Sequence, residues 1–578
     1  MLKRVGWLFT LIAFIGAMIF PLNAVKAANE EQLMFIAGTR QIYQNGSVYL
    51  AKAPHTVKNG VTYVSMRSLA ERLGFSITYN AATKEYVMQK GEHQLAFKLS
   101  GKTYRYNGDV RTIRSGEIYT ENGTMMIPLR ETVTPLGMNI SVSGNRIYVT
   151  WKQAAPKPVV PLQVKIDLPK TTYQIGEDIR YREIITGGSG QIVSKTWTNN
   201  EPAFFTPGPK RITLEVRDAN GMVSRDEIII TITDEVYRTK EQYEALKTPI
   251  GDKISIDGDK VLTYKTIEYE TIEKDYTLIR SNSPERINVE GIYYEDTLRG
   301  PARILIHKQN ERDNPVNVYL VARNVSDRDA TVELRHLGVG GPNKYVATNA
   351  KTALSNYYQS LKSGKRETMT LKPKEVAVIA KDEISKPILP SYTLTAYADV
   401  YSDQDVLYQV IVLDESTDFE RVYPYLRGVA ASRDNRHTRG TFPKGNRTLN
   451  IAERIGDEPS RLVIGDGQHD TYVNGYDALS GGMPETNYGN RGVYYTMTLE
   501  RVAPHTALVL NPRGGQYIGA FVVNGQTVIT PNAGTIAAKH EAAVLYRTGS
   551  REEKVTIEFI PASGSNLPLN IVAIPLVP

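Results

Sequence analysis

The residues best suited to chemistry stand in "GDGQHD", 465–470, which gathers Asp466, His469 and Asp470 within five positions. Two carboxylates and an imidazole are the donor types of a metal site or of an acid/base pair. The stretch also reads as a polar loop after the apolar run "RLVI", and that reading is preferred because the remaining ligands of a metal site cannot be identified. A second group is aromatic. Tyr472, Tyr476, Tyr488, Tyr494 and Tyr517 have Asn, Gly or Arg close by and offer faces on which sugar rings stack. Tyr488 and Tyr494 are the candidates singled out; the competing reading is that tyrosines in strands fill core and rim. Asp218 and Asp226 are candidate calcium ligands, but calcium wants six or more oxygens, so turn and surface carboxylates are the preferred reading. "LGVGGP" and "NPRGGQY" are glycine turns without the following helix of a phosphate loop. No G-x-S-x-G elbow or H-E-x-x-H pair occurs. No catalytic residue, metal site or cofactor is assigned.

These residues must be carried by strands. Tyrosine is abundant at 35, against 12 Phe and 3 Trp, and 45 Gly and 30 Pro provide frequent turns. The 578 residues suffice for three or four domains at about 150 residues each. Lys3 and Arg4 precede an apolar run, residues 7–20, and "VKA" closes at Ala27, so residues 1–27 read as a secretory signal peptide, the alternative being an uncleaved anchor. No later stretch approaches the roughly 18 apolar residues of a membrane span, so no membrane is expected after cleavage. Cysteine is absent, which excludes disulfides, thiolate metal sites and a lipid-modified cysteine, and suits a bacterial envelope. Losing Lys3, Arg4 and Lys26 with the signal takes the formal charge from +7 to +4. That mild excess permits weak attraction to anionic wall polymers and does not indicate a nucleic-acid partner.

One unit occurs twice. "NGVTYVSMRSLAERLGFSITY" begins at Asn59 and "NGTMMIPLRETVTPLGMNISV" at Asn122, in register with no gap. Ser65 is placed to cap a helix with apolar Met66, Leu69, Ala70 and Leu73, and Gly74 to end it. Asn45-Gly46 and Asn107-Gly108 precede the two copies as further tight-hairpin signals. Pro135 in the second copy predicts a shorter or kinked helix. The pattern N-G-x-x-[YM]-[VI]-[SP]-[ML]-R, then L-G, then a strand pair ending in "YVMQ" or "YVTW", resembles the copper amine oxidase N-terminal (stalk) domain of bacterial envelope proteins, over 32–153. The resemblance implies an accessory module and not the oxidase. In "PETNYGN" the acid and second aromatic of the quinone-forming tyrosine motif are replaced by Gly489 and Asn490. None of the eight histidines forms the H-x-H copper pair.

Pro156, Pro158 and Pro161 mark a semi-rigid linker, 154–162. Residues 163–235 alternate as strands about ten residues apart, an immunoglobulin-like β-sandwich pattern. "TPGPKRITLEVRDANGMVS" resembles a polycystic-kidney-disease-type (PKD-like) module, with Trp197 at the core position. Residues 250–578 are β-rich and read as two sandwich lobes divided near 415–450, where "ASRDNRHTRGTFPKGNR" looks like an exposed basic loop. "VYLVARNVSDRDATVELRHLG" reads as a hairpin around Ser326-Asp327, and 349–364 as a helix stopped by Gly364. "GNRGVYYTMTL…ALVLNPRGGQYIGAFV" resembles a C-terminal region of stalk-domain proteins of spore-forming Gram-positive bacteria, a resemblance that implies no activity.

The expected fold class is mainly β and multidomain: an α+β stalk-type repeat domain, an immunoglobulin-like sandwich and a large two-lobed β-sandwich region. The expected function is a secreted, non-catalytic, cell-wall-associated structural or binding protein with a cell-wall polysaccharide or envelope-protein partner. The alternatives are a carbohydrate-active or other hydrolytic enzyme with its site in the C-terminal region, and a glycan-binding protein.

Overall fold

The computed structural model describes residues 30–152, 160–188, 191–432, 434 and 437–577. The expected signal peptide, 1–27, and residues 154–159 of the expected linker lie outside them. The chain forms two compact units, 1–161 and 162–578.

In the first unit all four Asn-Gly pairs close two-residue hairpins. Asn45, Asn59, Asn107 and Asn122 lie at φ 50°, 49°, 49° and 50°, each followed by a glycine at positive φ. Both central residues of such a turn must be left-handed, which Asn-Gly accepts at little cost. Ser65 Oγ accepts the Ser68 N–H at 3.3 Å and starts helix Met66–Leu73, which Gly74 ends at φ 72°. In the second copy the helix is only Leu129–Val133, followed by a 3-10 turn Thr134–Leu136 that contains Pro135. Proline has no N–H to continue an α-helical ladder.

The two copies are interleaved. Strand Glu85–Lys90 of the first copy pairs with His93–Lys98 of the second, and Arg146–Lys152 returns to pair with Glu30–Ile36. Each outer five-stranded sheet therefore takes three strands from one copy and the closing hairpin of the other. In the middle sheet Val64 faces Ile127, its own equivalent sixty-three residues on, flanked by Tyr63↔Pro128 and Ser65↔Met126. An approximate two-fold axis passes through that pair. Leu33, Phe35, Leu69, Leu95, Phe97, Ile127 and Val149 form a core drawn from both copies.

The second unit begins with two sheets, Gln163–Asp167 with Arg182–Thr186, and a four-stranded sheet led by the long pair Gly208–Asp218 and Val223–Val236. Ile212, Leu214, Val216, Ile230 and Ile232 fill the space between them, and Trp197 packs at the edge of that core against Tyr181. Helix Lys240–Lys247, started by a Thr239/Gln242 capping box, follows. Buried Arg238 donates from Nε to the Val577 carbonyl at 2.7 Å and from Nη1 to Asp178 at 3.2 Å, fastening this module to the segment that follows strand Leu569–Pro575.

The C-terminal region holds two β structures, one inserted in the other. Lys253–Ser255, Lys265–Thr266 and Glu270–Lys274 join sheets whose other strands all lie beyond residue 445, and these two six-stranded sheets share one core. Between them in sequence comes most of a sheet built on the long antiparallel ribbon Gly291–Asn310 and Thr393–Asp414; its edge hairpin, Val473–Asp477 with Met483–Asn487, comes later in the chain and joins through Arg439–Phe442. The ribbon breaks register at Leu298/Gly300, and side chains from both halves enter one core, so it folds over on itself.

Two expectations are corrected here. Val316–Asn324 and Ala330–Asn343 are not a hairpin: both pair with Thr393–Asp414, one after the other in the same direction, with Asn324↔Val406 and Val332↔Ser402. The folded ribbon offers each a separate half to bury against. The basic stretch 431–447 is not all exposed loop either. Arg439–Phe442 is a buried strand paired with Thr277–Ser281, and Arg439 and Arg447 are each 2 % exposed. Arg439 pairs with Asp477 at 3.0 Å and Arg447 with Asp470 at 2.8 Å, and these partners make their burial tolerable. The expected helix at 349–364 is present as Val346–Ser363, capped by Gly364 in the left-handed region. Gly338 and Gly340 let it approach the sheet: a Cβ on Gly340 would stand 1.9 Å from the Asn349 carbonyl.

Candidate functional site

Gly465 and Gly467, both at positive φ, turn the chain after strand Ser460–Ile464. Asp466 Oδ1 then accepts the N–H groups of Gln468, His469 and Asp470 at 3.0, 2.9 and 3.1 Å. Its Oδ2 accepts from His469 Nδ1 at 2.8 Å. Burial alone would raise the Asp466 carboxyl, but His469 and the three N–H groups outweigh it and hold the group below its ordinary range. His469 Nε2 has no hydrogen-bond partner among the described residues, and the ring stays partly exposed.

Asp470 faces the other way. It accepts from Arg447 at 2.8 Å, Tyr495 Oη at 2.6 Å, the Gly465 N–H at 2.9 Å and Asn490 Nδ2 at 3.2 Å. Its oxygens are spent on this buried network, so the three candidates do not converge on one ligand position. Asn490 also donates to the Thr471 carbonyl at 3.0 Å and accepts the Val473 N–H at 2.8 Å, locking 471–473 to the turn that carries Tyr488. Arg491 donates to the Ser565 carbonyl at 2.7 Å and fixes the same turn from the other side of its chain.

The network fixes the segments that carry two tyrosines. Tyr472 and Tyr488 meet edge to face, ring centres 5.5 Å apart at 72°. Tyr488 is 43 % exposed. A Cβ on Gly467 would stand 2.6 Å from the Tyr472 ring, so only glycine leaves that ring room over the loop. The Asp466 charge and the Tyr488 hydroxyl both act on the Tyr472 hydroxyl, whose pKa is raised first by burial and then by these neighbours. The Asp466–His469 pair and the two tyrosines are thus one surface patch. Tyr494, the second stacking candidate, lies elsewhere: it packs on the core with its ring centre 5.2 Å from the Arg303 guanidinium. Tyr517 is fully buried, and Tyr476 is 38 % exposed on the hairpin that follows Tyr472.

Three other clusters of charge have structural partners. Arg303 and Asp399 pair at 3.0 Å under the hydroxyls of Tyr276 and Tyr357, at 2.9 and 2.8 Å from Asp399. His437 has Nε2 3.1 Å from Glu285 and Nδ1 2.6 Å from Asp434, so neither nitrogen is free to take a proton from a substrate. Asp257, Asp259 and His540 lie close enough to hold an ion but are exposed; Asp257 caps a short helical turn, and Lys539 neutralises Asp259 at 2.6 Å. Asp218 and Asp226 are engaged by backbone N–H groups, Asp218 by Met222 at 2.8 Å and Asp226 by Ile166 at 2.6 Å.

Residues 30–151 match the family model of the copper amine oxidase N-terminal domain. No curated protein matches the chain. Among solved structures, a carbohydrate-binding module of the β-sandwich superfamily is 11% identical at a TM-score of 0.12, covering 45% of this chain and 100% of its own. The PBSX exported protein XepA is 12% identical at 0.13, covering 50% and 86%. Chitinase ChiA74 from Bacillus thuringiensis is 10% identical at 0.11, covering 66% and 52%. At these TM-scores the likenesses carry no argument about fold or function.

Proposed function

We propose that the protein is a secreted, non-catalytic envelope protein whose C-terminal region binds cell-wall polysaccharide at the Tyr472/Tyr488 patch. The observation that carries this reading is the exposed Tyr488 ring held edge to face on Tyr472, beside the fixed Asp466–His469 pair, on segments that Asn490 ties together. A rigid aromatic face binds a sugar ring with little entropy loss, and fixed polar groups beside it orient the hydroxyls. The duplicated N-terminal domain and the PKD-like module act as presenting modules in this reading. The test is binding of purified wall polysaccharide by the intact protein and by Tyr488→Ala. Loss of binding in the variant, with unchanged thermal unfolding, supports the site; equal binding removes it.

One observation favours a second reading, a hydrolytic enzyme at the same patch. Asp466 occupies Nδ1 of His469 and leaves Nε2 unpartnered, the arrangement that orients a general base. Release of soluble sugar from the polysaccharide, abolished by His469→Gln, would establish that reading.

A further inference from the structure

The first unit has a cleft of about 360 Å³ lined by residues of both copies: Lys52, Arg67, Ile77 and Tyr86 from the first, Leu99, Thr120 and residues 122–125 from the second. Among the described lining residues the charged side chains are Arg67 and Lys52, and none is an acid. The acids nearest in sequence are engaged elsewhere. Glu85 pairs with Arg105 at 3.3 Å, and Glu121 accepts from Tyr119 and Thr56 at 3.3 and 3.4 Å. Among the described residues neither Arg67 nor Lys52 makes an ion pair, although both are exposed. Tyr86 is 40 % exposed, braced by Tyr79 at 4.8 Å, and Leu99 beside it is 45 % exposed.

We propose that this cleft binds an anionic sugar residue, its carboxylate or phosphate on Arg67 and Lys52 and its ring against Tyr86. A guanidinium takes either anion in a two-pronged contact, and the lysine adds a mobile second charge. An aromatic and aliphatic wall of this size suits one or two sugar rings, within the usual volume of a ligand cleft. The site is separate from the Tyr472/Tyr488 patch and does not depend on it. The repeat contains its own control: Arg130 is the equivalent of Arg67 but does not line this cleft.

The experiment is calorimetric titration of the purified protein with three probes: a glycerol phosphate oligomer, a glucuronic-acid oligosaccharide and a neutral N-acetylglucosamine oligosaccharide. The expected result is salt-sensitive binding of at least one anionic probe. Affinity should fall at least tenfold in Arg67→Ala and in Tyr86→Ala, with no change in Arg130→Ala. The phosphate and carboxylate arms separate the two sources of the anion. Binding of neither anionic probe, equal affinity for the neutral one, or an Arg130→Ala loss matching Arg67→Ala overturns the proposal.

Discussion

Arg447 and Asp470 show how single residues hold the proposed surface in place. Both are buried, and Asp470 also accepts from Tyr495 and Asn490, beneath the segments that carry Tyr472 and Tyr488. Arg447→Ala leaves the carboxylate buried without its cation and should cost about 3–5 kcal/mol in denaturant unfolding. A second residue-scale prediction concerns His307 and His437. Burial holds fully buried His307 at about 4, against the pull of Glu285 and with Lys308 and Arg280 adding to the fall. Its folded value lies below the unfolded 6.5, so its contribution is full above that pH and is lost as pH falls toward 4, roughly 3 kcal/mol in all. His437 is raised, first by its hydrogen bond to Glu285 and further by Asp434, against partial burial. Its contribution is full below 6.5 and is lost as pH rises through the folded value. His307→Gln should flatten the acid side of the stability profile, and His437→Gln the alkaline side; urea unfolding from pH 4 to 9 reads both. The sequence shows Asp466, His469 and Tyr488 as polar and aromatic groups on a turn. It does not show that Tyr494 packs on Arg303 or that Asp470 belongs to Arg447, because those partners are set by sheet packing and not by neighbours along the chain.

Secondary elements were legible where their causes are local. The Asn-Gly turns, the Ser65 cap, the Gly74 and Gly364 stops and the shortened second helix each depend on residues within about four positions. Elements whose identity depends on a distant partner were not. Val316–Asn324 and Ala330–Asn343 alternate as any hairpin would, and only Thr393–Asp414 decides that they run on in one direction. Arg439–Phe442 reads as loop because its burial requires Asp477, thirty-eight residues later. The close seating of helix Val346–Ser363 on Gly338 and Gly340 gives a prediction at this scale. Gly340→Ala forces a Cβ against the Asn349 carbonyl and should destabilise by about 1–3 kcal/mol, measured by thermal unfolding. Alanine at Gly300, where nothing stands within 4 Å of the new Cβ, should cost only the strain of its positive φ, about 1 kcal/mol.

At the scale of the whole first unit, the sequence repeat and the folding unit differ. The period of sixty-three residues is visible in the sequence, but the folding unit is the pair. The closing hairpin of each copy completes the sheet opened by the other. A fragment of residues 30–90 lacks the strands that cover its core and should be unfolded by circular dichroism, while 30–152 should fold; an independently folded 30–90 would contradict the interleaved arrangement. The C-terminal region is nested for a similar reason, since strands at 253–274 pair with strands beyond 445. The central claim is tested most directly by co-sedimentation of the intact protein with purified Gram-positive cell walls, comparing it with Tyr488→Ala at low and high salt and assaying the supernatant for sugar. The account predicts binding that survives high salt, falls by about 1–3 kcal/mol in Tyr488→Ala as expected for one lost stacking ring, and releases no soluble product. Equal sedimentation of the variant at high salt, or release of sugar by the intact protein, would contradict it.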